Sequence, residues 1–112
     1  MAAAYAYNTP DDVAGLVLWA GFPAASNDLS GYGLPVLSIY ASEDGLATPA
    51  DIDAARPLLP PDTTYLLIEG GCHAGFGYYG TQNRDGTPTI STAEQAEIVS
   101  SATLRFLESL GP

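Results

Sequence analysis

The chain has 112 residues, 46% of them apolar, and a formal net charge of −10 built from thirteen acids against three Arg and no Lys. That length suits one small domain, and the apolar content with seven Tyr, three Phe and one Trp excludes a disordered chain. So acidic a surface repels phosphate backbones and anionic lipids, which argues against nucleic-acid and membrane-surface partners.

Residues 1–7 are rich in Ala and Tyr and read as a helix end, stopped by Asn8, Thr9 and Pro10. Residues 13–20 (VAGLVLWA) form an almost unbroken apolar run, short enough and β-branched enough to predict a strand buried on both faces. Residues 21–33 carry Gly, Ser, Asn and Asp and read as a loop. Residues 35–41 (PVLSIYA) predict a second strand. Thr48-Pro49-Ala50-Asp51 then opens a helix: Thr48 caps, Pro49 takes the first helical position, and Asp51 suits the positive end of the dipole. That helix ends near Arg56-Pro57.

Pro60-Pro61-Asp62 marks a turn, and residues 63–69 (TTYLLIE) predict a third strand. Residues 70–90 form a long loop with six glycines, a length usual for functional segments. Ser91-Thr92-Ala93-Glu94 is a capping box. The last helix runs to about Leu110, with Ala96, Val99, Thr103, Phe106 and Leu110 along one face and Gly111 as its stop. Strands alternating with helices predict a parallel sheet of the α/β class, in which ligands bind beyond the carboxyl ends of the strands.

Two residues at such strand ends carry chemistry. Asp44 follows the second strand in S-E-D-G, and His73, the sole histidine, follows the third in E-G-G-C-H-A-G-F-G. Imidazole is the side chain suited to take and return a proton near neutral pH. A carboxylate that accepts from the imidazole N–H fixes its tautomer and stabilises the imidazolium. A loop histidine bonded to a nearby carbonyl and a turn Asp before Gly are the plain alternatives. Position, order and partner favour the chemical reading. Glu43 competes as the acid. Adjacent side chains at a strand end diverge, so only one reaches His73, and the D-G turn favours Asp44.

Cys72 adjoins His73, and adjacent side chains diverge, so it reads as a small buried thiol rather than a nucleophile. Alone, it also excludes an internal disulfide. Ser38 and Ser42 lie in or beside a strand and have no sharp turn around them. Trp19, Phe22, Phe76, Tyr78, Tyr79 and Gln82 lie at or past strand ends. Of these, Phe22 and Tyr79 are the candidates for lining a substrate pocket. One His and one Cys make no zinc site, the acids lack a calcium-loop pattern, and neither G-x-G-x-x-G nor a P-loop occurs. No metal or cofactor is therefore expected. No window holds 18 unbroken apolar residues, and the first residues lack the basic start and long apolar centre of a secretory signal.

The segments at 13–24 (VAGLVLWAGFPA), 38–49 (SIYASEDGLATP) and 70–95 (GGCHAGFGYYGTQNRDGTPTISTAEQ) together resemble the C-terminal part of the α/β-hydrolase superfamily. More narrowly the chain resembles the bacterial alpha/beta hydrolase fold-5 group, near dienelactone hydrolases. The long pattern H-A-x-F-G-x-Y-G-x-Q-x-x-D-G is the most specific part. The resemblance implies that Asp44 and His73 are the acid and base of a Ser-His-Asp triad. It also implies that residues 1–112 are the C-terminal part of one hydrolase domain, with the three strands as the sixth to eighth of the family sheet. The nucleophile turn G-x-S-x-G is absent from all 112 residues. The expectation is therefore a partial hydrolase fold supplying two of three catalytic groups for a small ester-like acyl substrate, inactive alone. The alternative is a non-catalytic remnant, or an assembly partner that completes a sheet in another chain. Dienelactone hydrolases use a Cys nucleophile, but in the turn rather than before the His, so a Cys72 enzyme is the weakest of the three.

Overall fold

The second predicted strand, residues 35–41, forms the middle of the sheet. In the computed structural model, which describes residues 2–9, 11, 13–77 and 85–110, three parallel strands stand in the order β1 (Leu16–Trp19), β2 (Val36–Ala41) and β3 (Thr64–Ile68). Leu16 pairs with Val36, and Leu37 with Thr64. Helix α1 (Ala2–Asn8) precedes the sheet, α2 (Pro49–Ala55) links β2 to β3 through a 3-10 turn at Arg56–Leu58, and α3 (Thr92–Ser109) closes the chain.

Alternation along the strands separates two cores. Leu16, Leu18 and Val36 face one side and pack with Ala3 and Ala6 of α1, Leu29 and Leu59. Leu37, Ile39, Ala41 and Ile68 face the other and pack with Val99 of α3. Helices thus cover both faces, as a parallel sheet requires. Leu29 shows that the loop at 21–33 is partly core: it is fully buried, and its N–H donates to the Leu58 carbonyl at 2.8 Å.

Both predicted helix caps form. Thr48 accepts from the Asp51 N–H while Asp51 accepts from that of Thr48, and Ser91 and Glu94 reciprocate in the same way. Each cap is worth about 1 kcal/mol.

Two expectations are corrected. The first strand covers four residues rather than 13–20 and is not buried on both faces: Leu16 and Leu18 are buried, whereas Trp19 is 49% exposed. Its ladder starts where the Leu16 N–H donates to the Pro35 carbonyl, and Pro35, having no N–H, cannot extend it backwards. Only β2 is buried along nearly its whole length. Second, the buried stripe of α3 includes Gln95 and Val99, with Ala102 and Phe106 packed behind. Thr103 sits beside that stripe and accepts the Trp19 indole N–H at 3.1 Å.

Ala20 ends β1 with φ of 52°, the one non-glycine residue with positive φ among those described. An L-residue there carries about 1–2 kcal/mol of steric cost that glycine lacks. Ala20→Gly is therefore expected to raise stability by up to about 1 kcal/mol, net of the added chain entropy. A urea melt showing a higher midpoint at unchanged slope checks this; a lower midpoint contradicts it.

Candidate active site

The turns after β2 and β3 come together because those strands are neighbours. The ladder continues past the strand ends: Ser42 N–H donates to the Ile68 carbonyl at 3.1 Å, and Glu43 N–H to that of Gly71 at 2.9 Å. Ser42 Oγ accepts from the Gly70 N–H at 2.7 Å and donates to the Glu43 carboxylate at 3.1 Å. Ser42 is therefore a structural tie between the turns.

Asp44 closes the first turn, its N–H donating to the Ala41 carbonyl at 3.3 Å. Ser42 and Glu43 thus form the bend, rather than the Asp44-Gly45 pair expected from the sequence. The consequence for direction is large. The Asp44 side chain has no solvent exposure, whereas Glu43 lies exposed. Asp44 Oδ1 accepts from the N–H groups of Leu46 and Ala47, both at 2.8 Å. Its other oxygen, Oδ2, lies 2.9 Å from His73 Nδ1. A carboxylate held by two backbone donors accepts from a third, so Nδ1 carries the ring proton and Nε2 is left as the basic nitrogen. The His73 side chain is 30% exposed.

Beyond β3 the chain turns sharply. Gly70 has φ of 83°, and its carbonyl accepts from the Thr89 N–H at 2.8 Å. His73 follows in right-handed helical geometry and starts a 3-10 turn over Ala74–Phe76. Two polar side chains that the sequence reading did not single out hold this segment. Gln95 of α3, 1% exposed, accepts from the Cys72 N–H at 3.1 Å and donates to the Cys72 carbonyl at 2.9 Å. A side chain on Gly75 would overlap the Gln95 amide, so G-G-C-H-A-G leaves room for this plug. Asp85 accepts from the N–H groups of His73 at 3.0 Å, Ala74 at 2.9 Å, Gly45 at 3.2 Å and Gly86 at 2.9 Å. Burial alone would raise the Asp85 carboxyl, but its backbone donors outweigh that and hold it below the usual 3.8. A depressed value means that its stabilising bonds are complete above the ordinary carboxylate range. They are lost only as pH falls through the lowered value.

Cys72 is buried and unpaired by any disulfide. Burial first, and then the adjoining Asp85 carboxylate, push its thiol above 9.0. It is a neutral, inward thiol near pH 7, the opposite of an activated nucleophile. Ser38 is 1% exposed within β2.

The family model described as "Alpha/beta hydrolase family" matches residues 1–97. The chain belongs to the alpha/beta hydrolase family. No curated protein and no solved structure matches it. The partial α/β fold, with three parallel strands flanked by helices, agrees with that membership. Of the two residues expected to line a pocket, Phe22 stands in the loop after β1 at 44% exposure, and Tyr79 lies outside the described residues. Among the described residues no cluster of three or more His, Cys, Asp or Glu is placed to hold a metal ion, and no helix is long and apolar enough to cross a membrane.

Proposed function

We propose that this alpha/beta hydrolase chain supplies the base and the acid of a Ser-His-Asp triad that cleaves carboxylic esters or related acyl substrates. The observation that carries the reading is the 2.9 Å approach of His73 Nδ1 to the buried Asp44. In the complete site, a serine on a turn outside these 112 residues attacks the acyl carbonyl. His73 Nε2 takes the serine proton and then returns it to the leaving alcohol. Asp44 holds the ring and stabilises the imidazolium. Water repeats the cycle on the acyl-enzyme. Phe22 and Tyr79 are proposed to line the acyl or alcohol pocket. The neutral, buried Cys72 supports a serine rather than this thiol as nucleophile.

A protein joining this chain to its nucleophile turn is expected to turn over short-chain p-nitrophenyl esters. Absence of hydrolysis across acetate, butyrate and octanoate esters, in a folded protein, contradicts the reading.

A second reading has its own support. Among the described residues β1 pairs on one side only, and an apolar groove of about 500 Å³ between Tyr5, Val13, Leu16, Leu107 and Leu110 borders it. A strand added there from another chain would satisfy the open backbone groups. Activity restored by mixing this chain with a separate piece that carries the nucleophile turn favours assembly between chains.

A further inference from the structure

We propose that Asp85 is a positioning residue that locks the His73 imidazole against Asp44. Its importance for turnover rests on the acid–base reading above; its effect on the ring does not.

His73 and Asp44 come from separate turns, and a hydrogen bond weakens steeply once its geometry slips. A displacement of about 1 Å is enough to break a 2.9 Å contact. Apart from His73, the Asp44 carboxylate is held among the described residues by Leu46 and Ala47 of its own turn. Gln95 holds the residue before the histidine but reaches nothing on the acid's turn. Asp85 bridges the two sides. One of its oxygens accepts from the backbone N–H of His73 itself and from that of Gly45, the residue following the acid. Its other oxygen takes the Ala74 N–H. The Ser42 and Glu43 bonds hold the two turns together at their base, and this one carboxylate adds the bridge at His73 itself and at the residue after the acid.

The local sequence supports the same role. A side chain on Gly86 would overlap the Glu43 carbonyl. The segment can lie against the acid's turn only with glycine after Asp85. The D-G pair at 85–86 thus supplies both the bridge and the clearance that brings it into reach. A carboxylate also suits converging N–H groups better than an amide, whose NH₂ would face donors.

The single histidine makes the test direct. In the 112-residue chain carrying ¹⁵N-histidine, at a pH where the ring is neutral, the ring nitrogen shifts are expected to report Nδ1–H as the dominant tautomer. In Asp85→Asn the Nδ1–H fraction is expected to fall to about half or below, because the ring loses its fixed partner. Gly86→Ala, which keeps the carboxylate but pushes it away from the acid's turn, is expected to do the same. Asp44→Asn is the positive control. Wild-type ring shifts in a folded Asp85→Asn chain overturn the proposal. So does loss of a cooperative melt in both variants, which would make Asp85 a folding residue. Because none of these readings uses catalysis, an inactive parent protein would sink the hydrolase reading and leave this one standing.

Discussion

His73→Ala is expected to lower kcat for ester hydrolysis by about 10,000-fold or more in a protein that joins this chain to its nucleophile turn. The substitution leaves no group to take the serine proton, and a hydroxyl without a base is a weak nucleophile at neutral pH. Asp44→Asn is expected to lose activity on the same scale by another route. An amide can present its NH₂ to Nδ1, which reverses the tautomer and leaves the proton on Nε2, the nitrogen that must accept. The two losses should not add in the double variant, since the groups act as one unit. KM should change far less than kcat, because neither side chain is placed to grip the substrate alone. Steady-state rates for the three variants check this. Near-normal turnover in His73→Ala removes His73 from the mechanism.

Gln95→Ala is expected to be the most damaging substitution for stability. The amide is 1% exposed and serves both backbone groups of Cys72. Removing it leaves the buried Cys72 N–H without a partner, at about 1–3 kcal/mol, leaves the Cys72 carbonyl with the Gly75 N–H alone, and opens a cavity beneath the histidine segment. Set against a whole-domain stability of about 5–15 kcal/mol, that loss lowers Tm by more than about 10 °C. Gln95→Glu keeps the acceptor but cannot donate once ionised and buries a charge, so it should be no milder. A thermal melt followed by circular dichroism checks both. A Tm for Gln95→Ala within about 2 °C of the parent would show that the plug is dispensable, since one lost buried bond alone moves Tm further.

Local patterns made most of the fold legible. The second and third strand runs and the Thr48 and Ser91 caps depend on neighbours a few residues apart, and they appear close to where the pattern puts them, whereas the first strand is shorter and the buried stripe of α3 is shifted. Asp44 and His73 were readable because their side-chain types and strand-end positions both signal chemistry. The residues that hold them were not. Asp85 is 12 residues from His73 and 40 from Gly45, and Gln95 is 23 from Cys72. Each is defined by backbone donors that only the folded chain brings near. Gln95 also breaks the apolar rule of its helix face, so a search for hydrophobic stripes passes over it. The D-G at 85–86 was visible as part of a family pattern, but its meaning depends on the turn at Glu43, which no local rule connects to it.

The decisive measurement is ester hydrolysis by the 112-residue chain beside a protein extended upstream through a G-x-S-x-G turn, each with and without His73→Ala. If Asp44 and His73 are the acid and base of a shared triad, only the extended protein turns over p-nitrophenyl butyrate, and His73→Ala abolishes it. Turnover by the 112-residue chain itself, or an extended protein indifferent to His73→Ala, contradicts that assignment.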